Sequence, residues 1–83
     1  MYIVYILKSK KNTSKFYIGI TNNLQRRLRE HNSSNAGYTI HYQPWEVETY
    51  IVFKNKKLAE NFEKYLKSES GYAFLKKRFI SLT

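Results

Sequence analysis

Eighty-three residues with fifteen lysines and arginines against six acidic residues, all glutamate, make a net charge of +9 on a chain with room for one domain (1–83) and a thin core. The absence of cysteine excludes a disulfide framework and a thiolate metal site, and the absence of aspartate leaves carboxylates for a one-metal site at most. No apolar run approaches the ~20 residues of a membrane span and no signal-peptide layout opens the chain, so the expectation is a cytoplasmic protein with no membrane partner and a polyanion, nucleic acid first, as ligand.

Tyr2–Leu7 (YIVYIL) is apolar, β-branched and aromatic, which predicts a strand covered on both faces, with Tyr2, Val4 and Ile6 on one side and Ile3, Tyr5 and Leu7 on the other. The short polar run KSKKNTSK then argues for antiparallel pairing with the next strand. In that strand Phe16, Ile18 and Ile20 alternate with Tyr17 and Gly19, so the glycine is expected to leave the sheet open beside the Tyr17 phenol, with Tyr5 close by. Thr21, Asn22 and Asn23 supply caps for a helix whose inward stripe is Leu24 and Leu28. At 100° per residue Arg27 and His31 fall just beside that stripe, whereas Arg26, Arg29 and Glu30 point away. A phenol, a guanidinium and an imidazole are therefore expected to converge over one patch of sheet.

Residues 32–45 read as a loop, with turn signals at Asn32–Gly37 and Pro44. Its Thr39 and His41 are polar groups with reach toward a substrate, against the plainer reading of His41 as part of a connector. Glu46–Phe53 predicts a third strand with Val47, Ile51 and Phe53 inward. From Asn55 a helix follows with Leu58, Phe62, Tyr65 and Leu66 as its buried stripe, Glu60 on the far side and Glu63 at the border beside Ala59 and Leu66. Lys64 and Lys67 stand four residues after these glutamates, a spacing of routine helix ion pairs. Ser70 and Gly71 are expected to end that helix, and YAFLKKRFI to form a last short one with Phe74, Leu75 and Phe79 inward and Lys76, Lys77 and Arg78 outward.

Two tyrosine-bearing strands, an arginine at the edge of the next helix and a glutamate on a later helix together resemble the GIY-YIG nuclease family, in particular its small stand-alone bacterial members. Ile3-Val4-Tyr5 stands where that family has GIY, and Tyr17-Ile18-Gly19 is YIG verbatim. Arg27, eight residues beyond Gly19, matches the family's arginine, His31 the histidine that often follows it, and Glu63 its metal-binding glutamate. The run YLKSESGYAFLKKR resembles the carboxy terminus of the stand-alone subgroup. Ile3 departs from the first glycine of GIY, Ile20 takes a position that is basic in some relatives, and the asparagine that larger members carry near the domain end has no clear counterpart.

The resemblance implies an α/β domain (an α+β sandwich) with a central three-stranded antiparallel sheet flanked by helices. It implies an endonuclease that hydrolyses nucleic-acid phosphodiesters, DNA ahead of RNA, with a single magnesium or manganese ion. In that reading Glu63 holds the metal, Arg27 meets the scissile phosphate, Tyr17 orients or deprotonates the attacking water, Tyr5 supports it and His31 shares the proton. Arg26, Thr39, His41, Lys67, Lys76, Lys77 and Arg78 are the expected nucleic-acid contacts. With so little surface for reading bases the expected action is structure-selective, with a homodimer or a targeting partner as aids. The alternatives are a nucleic-acid-binding module that keeps the fold without turnover, and a structural basic protein that uses its outer lysines alone.

Overall fold

A computed structural model describes residues 1–33 and 37–80. Strands β1 (Tyr2–Ser9), β2 (Phe16–Thr21) and β3 (Trp45–Phe53) form one sheet of order β2-β1-β3, and β1 pairs antiparallel with both neighbours. Helix α1 (Leu24–His31) follows β2, a 3-10 helix spans Gly37–Tyr42, and helices α2 (Lys56–Lys67) and α3 (Glu69–Arg78) follow β3. The middle of the turn expected over Asn32–Gly37, residues 34–36, lies outside the described residues.

Because β1 is central, its alternation sorts two cores. Val4 and Ile6 join Ile18 of β2, Ala59 and Leu66 of α2, and Leu75 and Ile80 at the end of the chain. Tyr5 and Leu7 face the other way and pack with Trp45, Leu24 and Leu28 of α1, Tyr17 and Tyr42. The sheet is thus the middle layer, with α1 and the 3-10 helix on one face and α2 and α3 on the other. The expected faces of β1 and β2 and the inward stripe of α1 are all found.

Three expectations are corrected. Val47 packs with the Tyr5 core while Phe53 packs with the Val4 core, because a β-bulge between the Leu7–Val47 and Ile6–Thr49 pairs inserts Glu48 and reverses the alternation. In α2 the buried line is Ala59 and Leu66 with Phe62, whereas Leu58 and Tyr65 are exposed. The small Ala59 lets this helix approach the sheet along the Ala59–Leu66 line, which turns Leu58 and Tyr65 outward.

Finally, α2 stops at Ser68 and not at Gly71. Ser68 donates its hydroxyl to the Tyr65 carbonyl at 2.6 Å, and its oxygen accepts from the Gly71 amide at 3.2 Å, so one residue caps α2 and starts α3. Gly71 is buried inside α3, where an added Cβ would lie 1.6 Å from the Tyr65 carbonyl oxygen. Its role is close helix contact. The same helix pair holds Leu75 in the core, with Phe74 and Phe79 half-buried beside it.

Candidate active site

Gly19 lies directly opposite Tyr5 in the β1–β2 ladder, and a Cβ on it would stand 2.4 Å from the Tyr5 hydroxyl. The missing side chain is what lets the Tyr5 ring lie across β2. The patch expected to be open beside Tyr17 is therefore filled by Tyr5, which is 1% exposed. Its Oη lies 2.9 Å from His31 Nε2 and 3.3 Å from Arg27 Nε.

Helix α1 makes that meeting possible. The Asn23 side chain accepts from the Arg26 amide at 3.0 Å and so fixes the helix start, and Arg27 and His31 then project one turn apart on the face beside Leu24 and Leu28. Hydrogen-bond chemistry orders the protons. A guanidinium only donates, so Arg27 donates to the Tyr5 oxygen, and the arrangement that also gives the buried phenol proton an acceptor has Tyr5 donating to His31 Nε2. The imidazole proton then sits on Nδ1, which donates to Thr39 Oγ1 at 3.1 Å. The Thr39 carbonyl in turn accepts from the Trp45 indole at 2.8 Å, which ties the 3-10 helix to the first residue of β3.

Electrostatics agree with a neutral pair. Burial lowers the His31 pKa from its ordinary 6.5, and the Arg27 charge adds to that, so the ring is neutral at physiological pH. Burial likewise raises the Tyr5 phenol above 10. The Arg27 bond and charge pull it down, while the charges of Tyr17 and Glu63 push it further up. Glu63 on α2 is thus near enough for its charge to be felt at Tyr5. Arg27 is held firmly protonated by its bond to Glu30 and then by that to Tyr5, and the Arg27–Glu30 contact, at 2.8 Å, lowers the Glu30 pKa.

Tyr17 is half-buried, its ring 4.6 Å from the His31 ring and 6.3 Å from that of Tyr5. The Arg27 side chain keeps 39% of its surface exposed and the Glu63 side chain 19%, Arg27 on α1 and Glu63 on α2 in the layer on the other face of the sheet. Glu63 is paired with Lys67 at 3.2 Å. Among the described residues no three potential ligands of the His, Cys, Asp or Glu type gather. A single, mostly buried carboxylate with some surface open nevertheless suits magnesium, which keeps most of its waters and takes one or two protein carboxylates.

Of the expected nucleic-acid contacts, Arg26 and His41 are exposed and Lys67 sits on Glu63. Thr39 is corrected: it is buried beneath the site as the hydrogen-bond partner of His31 and has no open path to a ligand. Lys76, Lys77 and Arg78 are exposed on α3, the layer on the far side of the sheet from Tyr5. They are thereby set apart from the cluster. Two contributors were not anticipated, Glu30 as the ion partner of Arg27 and Trp45 as the anchor of Thr39. The spacing of three between Arg27 and Glu30 was a usable signal for the first, whereas nothing local marks the second.

A UPF0213 protein of Clostridium perfringens is 40% identical over 68 residues, which cover 81% of this chain and 71% of that protein. The structure-specific endonuclease subunits SLX1 of Debaryomyces hansenii and Schizosaccharomyces pombe are 42% and 40% identical over 75% of this chain. The matched segments make up 20% and 25% of those two longer proteins. The solution NMR structure of a UPF0213 protein from Bacillus halodurans is similar with a TM-score of 0.55 at 30% identity, covering 93% of this chain and 84% of that one. The model of the GIY-YIG catalytic domain matches residues 1–77. With that match across nearly all its length, and with Tyr5, Tyr17, Gly19 and Arg27 gathered on one face of the sheet, the chain belongs to the GIY-YIG family.

Proposed function

We propose that the chain is a nuclease that hydrolyses nucleic-acid phosphodiester bonds, with DNA of branched, flapped or single-stranded form as substrate and Glu63 as the carboxylate that holds one divalent ion. The observation that carries this reading is the Tyr5 hydroxyl bridging Arg27 and His31 over Gly19, beside a half-exposed Tyr17. Relatives named as structure-specific endonuclease subunits support the choice of substrate form.

Arg27 turns its exposed nitrogens from Glu30 to a phosphate, which offers the same charge-assisted geometry. Tyr5 holds Nε of that guanidinium in place during the exchange. Tyr17 is the phenol with access to solvent and orients the attacking water. His31 faces no water. Its Nε2 holds the Tyr5 hydroxyl in place by hydrogen bond, and Thr39 steadies the ring from Nδ1. When bound at Glu63, magnesium or manganese supplies positive charge against the phosphate and the leaving oxygen.

Cleavage of labelled single-stranded, duplex, flapped and four-way DNAs by wild type and Glu63→Ala, with magnesium, manganese or chelator, tests this. Metal-dependent cutting that disappears with Glu63→Ala is expected. Binding without cutting on every substrate would instead identify a module that keeps the fold and lacks turnover.

A further inference from the structure

Directly opposite residues in an antiparallel ladder point to the same face, so the sheet carries a row Gly19–Tyr5–Tyr50 and, next to it, a row Thr21–Ile3–Val52. Tyr5 leans over the glycine, away from β3. Among the described residues Tyr50 consequently has no ring beside it to cover it and is 57% exposed, with Val52 46% exposed alongside. Helix α1 covers the other end of this face, around Leu7 and Trp45, and leaves the Tyr50 end bare among the described residues. The bare strip continues the Tyr5–Arg27 site across the sheet, about 10 Å or two strand spacings from Gly19.

From this arrangement we infer that Tyr50, flanked by Val52 and Ile3, is a stacking platform for one unpaired nucleobase of the strand whose phosphate lies at Arg27. The inference rests on the nuclease reading of that site and names how it selects its substrate. A base in a duplex is already stacked on both sides, so an aromatic face on the sheet rewards only a base that has left its helix. Charge points to the same occupant. Lys54, two residues beyond Val52, is exposed where β3 leaves the strip, within reach of a phosphate of a strand running over Val52. A second copy of the chain is a poor occupant by comparison, since each carries a net charge of +9.

The test uses the full chain with Glu63→Ala and chelator present, so that binding is read without cleavage. The ligands are a single-stranded oligonucleotide, a flapped duplex bearing 2-aminopurine at its first unpaired position, and a blunt duplex. Binding is expected to quench the 2-aminopurine. Tyr50→Ala is expected to weaken the single-stranded and flapped ligands by at least about fivefold and the blunt duplex by less than about twofold, in line with the worth of one base stacked on an aromatic ring. Tyr50→Phe, which keeps the ring, is expected to match the parent. Circular dichroism checks that each variant is folded.

Equal losses on all ligands, or none, would overturn the platform. So would a concentration-dependent dimer that Tyr50→Ala abolishes in sedimentation, because the strip would then be a self-contact. Cleavage by the chain with Glu63 intact separates the two readings. Quenching lost with Tyr50→Ala but no metal-dependent cutting would leave the platform standing and the nuclease refuted, and cutting that ignores Tyr50 would do the reverse. No binding to any ligand would refute both.

Discussion

Tyr5 is the residue through which the site's protons are ordered, and its hydroxyl is more than a packing group. Tyr5→Phe keeps the ring over Gly19 but leaves His31 Nε2 buried without a partner, which is expected to cost about 1–3 kcal/mol in urea denaturation and to lower cleavage far more than binding. His31 makes a further prediction through pH. Its folded pKa lies below 6.5 and the unfolded chain's lies near 6.5, so the unfolded chain binds the proton first as pH falls. Stability from this group is complete above about pH 6.5 and is lost progressively below it until the folded pKa is reached. Unfolding curves from pH 7.5 to 5 are expected to show this loss in wild type and a smaller one in His31→Gln; equal slopes would refute a neutral buried imidazole. At this scale the sequence was legible in identity and less so in role. Helical spacing placed Arg27 and His31 beside the core, but only the depth of the Gly19 contact shows that Tyr5, not Tyr17, makes the bonds.

At the scale of elements, β1, β2 and α1 were readable because each keeps a single period along its length and ends at an ordinary signal, such as the Asn23 cap. The junction of α2 and α3 was not. Ser70-Gly71 looks like a helix stop in sequence, yet the stop is Ser68 and the glycine serves a contact between helices that no local pattern records. Gly71→Ala is therefore expected to destabilise the fold by about 1–3 kcal/mol or more, even though alanine is the better helix former, because the added Cβ meets backbone atoms of Tyr65 and Leu66, which cannot rotate away. Thermal unfolding decides it; a rise in midpoint would mean that the helix pair separates freely. Ala59 shows the same limit in milder form, since a small residue set the rotation of α2 and left Leu58 and Tyr65 outside.

For the whole molecule, the net charge announced a polyanion, but composition could not say which side of the sheet meets it. The layers answer in part: Arg27 and Tyr17 share one face with Tyr50, whereas Lys76, Lys77 and Arg78 stand on α3 behind the other. Reversing Lys54 to glutamate is expected to weaken DNA binding and to flatten its dependence on salt, by about 0.7–0.9 in log–log slope for the phosphate contact removed. The same reversal at Lys76, Lys77 and Arg78 is expected to leave most of the slope intact. Titrations of one oligonucleotide across salt concentrations compare the two; the opposite order would put the polyanion on the α3 side.

The bulge at Glu48 has a consequence for how the chain tolerates change in length. It acts as a phase slip in β3, so the strand's two halves are each regular but out of step by one residue. Deleting Glu48 restores a continuous alternation and leaves Val47, Tyr50 and Val52 on the faces they already occupy. Deleting Ile51 keeps the slip and sends Val52 under the sheet and Phe53 out of it. The first shortened chain is expected to fold and bind much as the parent does, and the second to unfold, although both lose one residue from the same strand.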